Sequence, residues 1–253
     1  MINPLDYPVL ILLVSVFVFW FSAWIGGRLH ARRGSMAKER HEDFTFVLGG
    51  TLTLLGLIIG FTFSMTINRY DQRKNLEEEE ANAIGTEYLR ADLLPAADAI
   101  RVRALLRRYL DQRVLWYKSR NNAKLRAINV ETAGLQAEMW SVVAPPAIEK
   151  PTTVAALILA GMNDVLNSQG YTQASWWNRI PVGAWILLVA ISIFCNILVG
   201  YVAHERSGFL FWILPIALSI SLFLIADIDS PRRGIIRTYP QNLESLVASL
   251  PSQ

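Results

Sequence analysis

Side chains suited to covalent or acid–base chemistry are few and scattered in this 253-residue chain. Its three histidines, His30, His41 and His204, lie far apart, and the single cysteine, Cys195, sits inside an apolar run. His41-Glu42-Asp43 could in principle meet a metal. Consecutive residues of a helix point in different directions, however, so a solvated segment is the simpler reading. Residues 77–80 are four consecutive glutamates. Arg73 and Lys74 precede Glu77 and Glu78 by four positions, the spacing of intrahelical ion pairs, so the run reads as a solvated or inter-subunit helix face. There is no phosphate-binding glycine loop, no GxGxxG and no HExxH. Nothing here implies a catalytic residue, a metal or a cofactor, and the chain is expected not to be an enzyme.

A different chemistry, that of passage and packing, is suggested by the uncharged segment FTFVLGGTLTLLGLIIGFTFSMTIN, residues 44–68. Gly56, Gly60, Ser64 and Asn68 recur every four residues, and small residues at that spacing let helices approach closely. Thr53, Leu57 and Phe61 form a second stripe at the same spacing, continued by Met65. Both stripes read as helix-packing surfaces. For Thr53, Leu57 and Phe61 the alternative is a pore lining, because a ring of Leu and Phe, one set per subunit, can gate ion flow by dewetting.

These stripes belong to the second of four blocks that contain no Asp, Glu, Lys or Arg: residues 7–27, 44–68, 180–203 and 208–226. Each is near or above the ~20 residues a helix needs to cross a ~30 Å hydrocarbon core. Interfacial aromatics support the assignment: Trp20 and Trp24 in the first block, Trp176 and Trp177 before the third, Phe209, Phe211 and Trp212 at the start of the fourth. The first block has no basic residue before it and reads as a retained span, not a signal peptide. The expected fold is all-α: a four-span membrane protein with a helical extramembrane domain between spans two and three. Its divisions are 1–68, the first membrane pair; 69–179, the helical domain; 180–226, the second pair; and 227–253, a polar tail.

Span two passes into RYDQRKNLEEEE with no turn signal, so one helix is expected to leave the membrane and run to residue 94, where Pro95 breaks it. Further helices are expected over 96–120, over 130–143 with a stop at Pro145-Pro146, and over 151–168 with an end at Gly170. On the second of these, Ile100, Leu105, Leu106, Tyr109, Val114 and Trp116 make the apolar side. His204-Glu205-Arg206-Ser207 is so short a link that spans three and four must form an antiparallel hairpin. A turn at Ser230-Pro231 and a last amphipathic helix complete the tail. The net charge of +3 is explained by basic residues flanking spans, so no nucleic-acid partner is implied. Arg28, Arg32, Arg33, Lys38 and Arg40 in the first loop favour an outside N-terminus, which would put the helical domain outside as well.

The run LLGLIIGFTFSMTINRYDQRKNL resembles the second membrane helix of bestrophins, with Gly60-Phe61, Arg69-Tyr70 and Asn75-Leu76 at matching offsets. EEANAIGTEYLRADLLP and LIADIDSPRRG are similar to hallmark segments of a bacterial bestrophin-like family of unknown function. The resemblance implies a homo-oligomeric ring of five subunits in the bacterial inner membrane, with span two around the axis. It further implies membrane lipid and small anions as partners, and a hydrophobic neck at Leu57 and Phe61 with Thr53. It places the helical domain in the cytoplasm, opposite to the first-loop charge reading. The calcium clasp of animal bestrophins needs a dense acidic cluster after the last span. Only Asp227 and Asp229 stand here, few for a cation that takes 6–8 oxygens. Two readings of function follow: an ion-conducting channel lined by span two, or a non-conducting membrane scaffold or sensor whose helical domain binds a partner.

Overall fold

The computed structural model describes residues 4–33, 38–202 and 210–251. All the regular structure in them is helical: α1 (Pro8–Arg33), α2 (Lys38–Arg90), α3 (Ala96–Lys118), α4 (Asn122–Glu149), α5 (Thr153–Trp177), α6 (Val182–Val202), α7 (Leu210–Asp229) and α8 (Gln241–Ser249), with short 3-10 turns at Pro4–Asp6 and Ala91–Leu93. Among the described residues four helical stretches are long and apolar enough to cross a membrane. The His204–Ser207 link expected to close a hairpin lies outside the described residues. The contacts divide the chain into two compact units. One comprises Met1–Arg69 and Arg179–Arg237, the other Tyr70–Asn178 and Thr238–Gln253.

In the first unit α1, α6 and α7 pack with the apolar part of α2. Phe19, Leu55, Leu188, Leu222 and Ile225 form its core. Backbones meet where α1 crosses α6. A Cβ on Gly26 would stand 2.0 Å from the Ile197 carbonyl oxygen, and one on Gly200 would stand 1.9 Å from that of Ala23. Without a hydrophobic drive between helices in lipid, such close approach supplies the packing. Hydroxyls in the apolar runs turn back on their own helix: Ser22 donates to the Val18 carbonyl (2.7 Å), Thr66 to that of Thr62 (2.7 Å), and Ser192 to that of Leu188 (2.7 Å). That satisfies them without water.

The segment after α7 is a tight cap. Asp227 accepts from the backbone N–H groups of Ile235 (2.7 Å) and Ile236 (2.8 Å). Asp229 accepts from the N–H of Ile180 (3.2 Å) and pairs with Arg69 at 3.8 Å. A side chain at Gly234 would place its Cβ 2.2 Å from the Asp227 carbonyl oxygen, so the turn requires glycine there.

The second unit is a bundle of α3, α4, α5, α8 and the charged part of α2 around Leu106, Tyr109, Leu110, Met139, Met162 and Val165. On α3 the expected apolar side is corrected at Ile100, which is exposed. Three expected helix boundaries are corrected too. The helix expected over 130–143 begins at Asn122, because Asn121 Oδ1 caps the N–H groups of Ala123 (2.8 Å) and Lys124 (3.2 Å). It also runs through Pro145 and Pro146 to Glu149, and the Lys150 N–H closes its last turn on the Pro146 carbonyl (3.1 Å). Val142, Val143 and Ala147 are buried there, and their packing offsets the roughly 3 kcal/mol of an interior proline. The helix expected to end at Gly170 continues to Trp177. A glycine costs only about 1 kcal/mol in a helix, and Thr172, Ser175 and Trp176 beyond it are buried.

Candidate functional site

Within the chain, α2 has one covered and one bare face. Leu55, Thr62 and Thr66 are buried. At 100° per residue Leu57 points about 160° away from Leu55 and about 140° from Thr62. Leu57 is accordingly 53% exposed and Phe61 66% exposed. Thr53 is exposed as well, its hydroxyl donating to the Gly49 carbonyl at 2.9 Å. Gly56, Gly60, Ser64 and Asn68 share this bare side. A Cβ on Gly56 or Gly60 would meet nothing within 4 Å. Both stripes therefore lie side by side, uncovered by their own chain. Among the described residues of the first unit, Gly26 and Gly200 are the glycines where helix backbones meet.

Beyond Asn68 the bare face ends and α2 becomes a polar core element. Arg73, Glu77, Glu80, Ile84, Glu87 and Ala91 recur every three or four residues and are all buried. The expectation of a solvated or inter-subunit face over residues 77–80 is thus corrected for two of the four. Glu78 and Glu79 are exposed, whereas Glu77 and Glu80 are not. Glu77 accepts from the Leu243 N–H (2.9 Å) and from Asn242 Nδ2 (2.7 Å), so it caps α8, and its pKa is raised by burial against the lowering effect of these bonds. Glu80 is paired to Arg113 and accepts from the Tyr117 hydroxyl (3.2 Å) and Thr172 Oγ1 (3.2 Å). Burial works against the charge on Arg113, but Glu80 and the tyrosines prevail and hold its pKa above the usual value. Burial, reinforced by Glu80, pushes the Tyr109 and Tyr117 hydroxyls up. Arg113 also lies 4.7 Å from the Trp116 ring, and Trp116 meets Trp176 at 4.5 Å.

Glu87 is the exception in this row. Its side chain is fully buried, and neither carboxylate oxygen has a hydrogen-bond partner among the described residues. Arg90 stands 3.9 Å away, and α5 comes so close that a Cβ on Gly161 would be 2.0 Å from Glu87 Oε2. Burial pushes its pKa up to about 7; Arg90 pulls it down and Asp164 pushes it further up.

Sequence reasoning missed the Glu80–Arg113 pair, the capping of α8 by Glu77, and the contact of Gly161 with Glu87. One signal was available: the glutamates fall on the same three-to-four period as Ile84 and Ala91, so they share the face that those apolar residues bury. Among the described residues no three His, Cys, Asp or Glu side chains gather as metal ligands.

Long apolar helices with Ser and Thr bonded back to their own backbone, interrupted by a helical bundle built on the continuation of the second, define an all-α membrane protein. The chain belongs to the Bestrophin-like family, whose domain model matches residues 10–243. Its fold is similar to three crystal structures of a bacterial bestrophin homolog from Klebsiella pneumoniae, two of them point mutants. The TM-scores are 0.65, 0.64 and 0.64 at 13%, 13% and 14% identity. The matches cover 94%, 96% and 96% of this chain and 97%, 99% and 99% of theirs. No curated protein sequence gives a significant match.

Proposed function

We propose that this chain assembles in the bacterial inner membrane as a homo-oligomeric ring of five copies, and that α2 lines a central pathway for small anions. One observation carries the reading. Only 6% of the apolar window of α2 is buried by its own chain, against 28%, 28% and 44% for the other three membrane-length stretches. A span left so bare, with glycines whose missing side chains face open space, has room for the helices of neighbouring copies. In the proposed ring Gly56, Gly60, Ser64 and Asn68 seat the adjacent copy, because small residues let backbones approach. Thr53, Leu57 and Phe61 turn to the axis, and Leu57 and Phe61 form the constriction, where a narrow apolar ring resists wetting. The segment 69–179 forms the extramembrane part of each copy.

Purified protein in planar lipid bilayers tests the reading. The wild type conducts, and Phe61→Ala widens the neck and raises conductance or open probability. An oligomer that inserts but carries no current, or a Phe61→Ala variant with unchanged conductance and gating, refutes it. The first of these outcomes would favour the non-conducting scaffold.

A further inference from the structure

We propose that the groove between α1 and α6 binds one acyl chain of an anionic phospholipid, with the phosphate held at the arginine-rich end of the same unit. The inference rests on α1 and α6 spanning a membrane and not on conduction. The groove encloses about 550 Å³, within the ~300–1,000 Å³ of small-molecule sites, and Leu10, Val14 and Val18 of α1 face Ile186, Val189 and Ile193 of α6 across it. Ser15, also in the lining, has its hydroxyl turned to the Leu12 carbonyl at 3.0 Å, so it presents no competing polar demand. Along α1 the lining runs from Leu10 to Phe19, about 14 Å at 1.5 Å per residue. That is close to half of a ~30 Å hydrocarbon core, the depth of one leaflet.

Two features at one end of the groove suit a lipid's polar part. Leu5 closes that end. Beside it Asp6 receives Arg179, and Arg233 stands 4.5 Å over the Tyr7 ring. The turn after α7 adds Arg232 and Arg237, and Arg69 reaches Asp229. These segments carry five arginines against Asp6, Asp227 and Asp229, an excess of positive charge, and the aspartates accept from Arg179, Arg69 or backbone N–H groups. The second feature is Trp185, in the first turn of α6 and only 6% exposed. It lines the groove, and its indole N–H has no acceptor among the described residues. The N–H is shielded in this conformation, and a turn of the indole toward the groove would bring it to an ester carbonyl of the bound phospholipid.

Native mass spectrometry of the purified protein, titrated with phosphatidylglycerol and with phosphatidylcholine, tests this. The wild type retains phosphatidylglycerol at least fivefold more tightly. Arg233→Gln lowers that preference about fivefold, the factor carried by one interfacial cation. Trp185→Phe weakens both lipids severalfold without changing their ratio. Ala190→Trp fills the groove and removes retention of both, with the mass of the protein assembly unchanged; Ile186→Trp, at an exposed position, replaces it if the former fails to fold. Equal binding of the two lipids, or retention untouched by the groove-filling variant, overturns the proposal. So does dissociation of the assembly by that variant with lipid retained, which would mean that a second copy covers the groove.

Discussion

Glu87→Gln isolates the effect of a buried carboxylate that has no hydrogen-bond partner among the described residues. In the folded chain burial raises the Glu87 pKa from 4.5 to about 7. The folded state therefore binds more protons than the unfolded state between these values. Stability falls as pH rises through that window, is fully present below the unfolded pKa, and is lost by the time pH passes the folded one. A shift of this size corresponds to at most about 3 kcal/mol at 1.36 kcal/mol per pKa unit. Glutamine has nearly the shape of the protonated acid and cannot ionise. The variant should match the wild type near pH 4.5 and exceed it by up to about 3 kcal/mol above pH 7, or about 6–12 °C in Tm for a chain of this size. Thermal unfolding of both proteins in the same lipid nanodiscs, from pH 4.5 to 8.5, gives the two curves. If the Tm difference between them does not grow with pH, Glu87 is not the buried acid that this geometry makes it.

Two further substitutions read the packing. Gly26→Val drives a side chain into the Ile197 carbonyl and should cost at least the 1–3 kcal/mol of overpacking, seen as loss of the monodisperse peak in size-exclusion chromatography. Gly56→Ala, which meets nothing within its own chain, should leave protomer folding intact and act only on assembly. Glu80→Gln strands Arg113 in the core and should destabilise by about 3–5 kcal/mol in denaturant unfolding, whereas Glu80→Leu with Arg113→Met should recover most of that loss.

Four membrane-length apolar helices were legible because a bilayer imposes a length and excludes charge, and both constraints are written locally in the sequence. The break at Pro95 was legible for a similarly local reason, since proline sets its own backbone and that of its predecessor. The ends assigned at Gly170 and Pro145-Pro146 were not, because burial of Trp176 and Val143 outweighs the local penalty. The polar core was hidden for a related reason. Glu80 finds Arg113 in α3 and Thr172 in α5, partners that helical spacing within α2 does not reveal. Its neighbours Glu78 and Glu79 are exposed on their own chain and of the same type. The bare face of α2 was half legible. Its two stripes stand out in the sequence, but their exposure appears only once Leu55, Thr62 and Thr66 are seen to occupy the opposite side.

Single-particle imaging of the purified oligomer shows whether α2 lines an axial pathway. A closed ring is expected in which α2 of every copy faces the symmetry axis, with Leu57 and Phe61 at the narrowest level and Gly56 and Gly60 against the adjacent copy. A ring whose α2 helices face lipid, or a particle with no axial pathway, would contradict it.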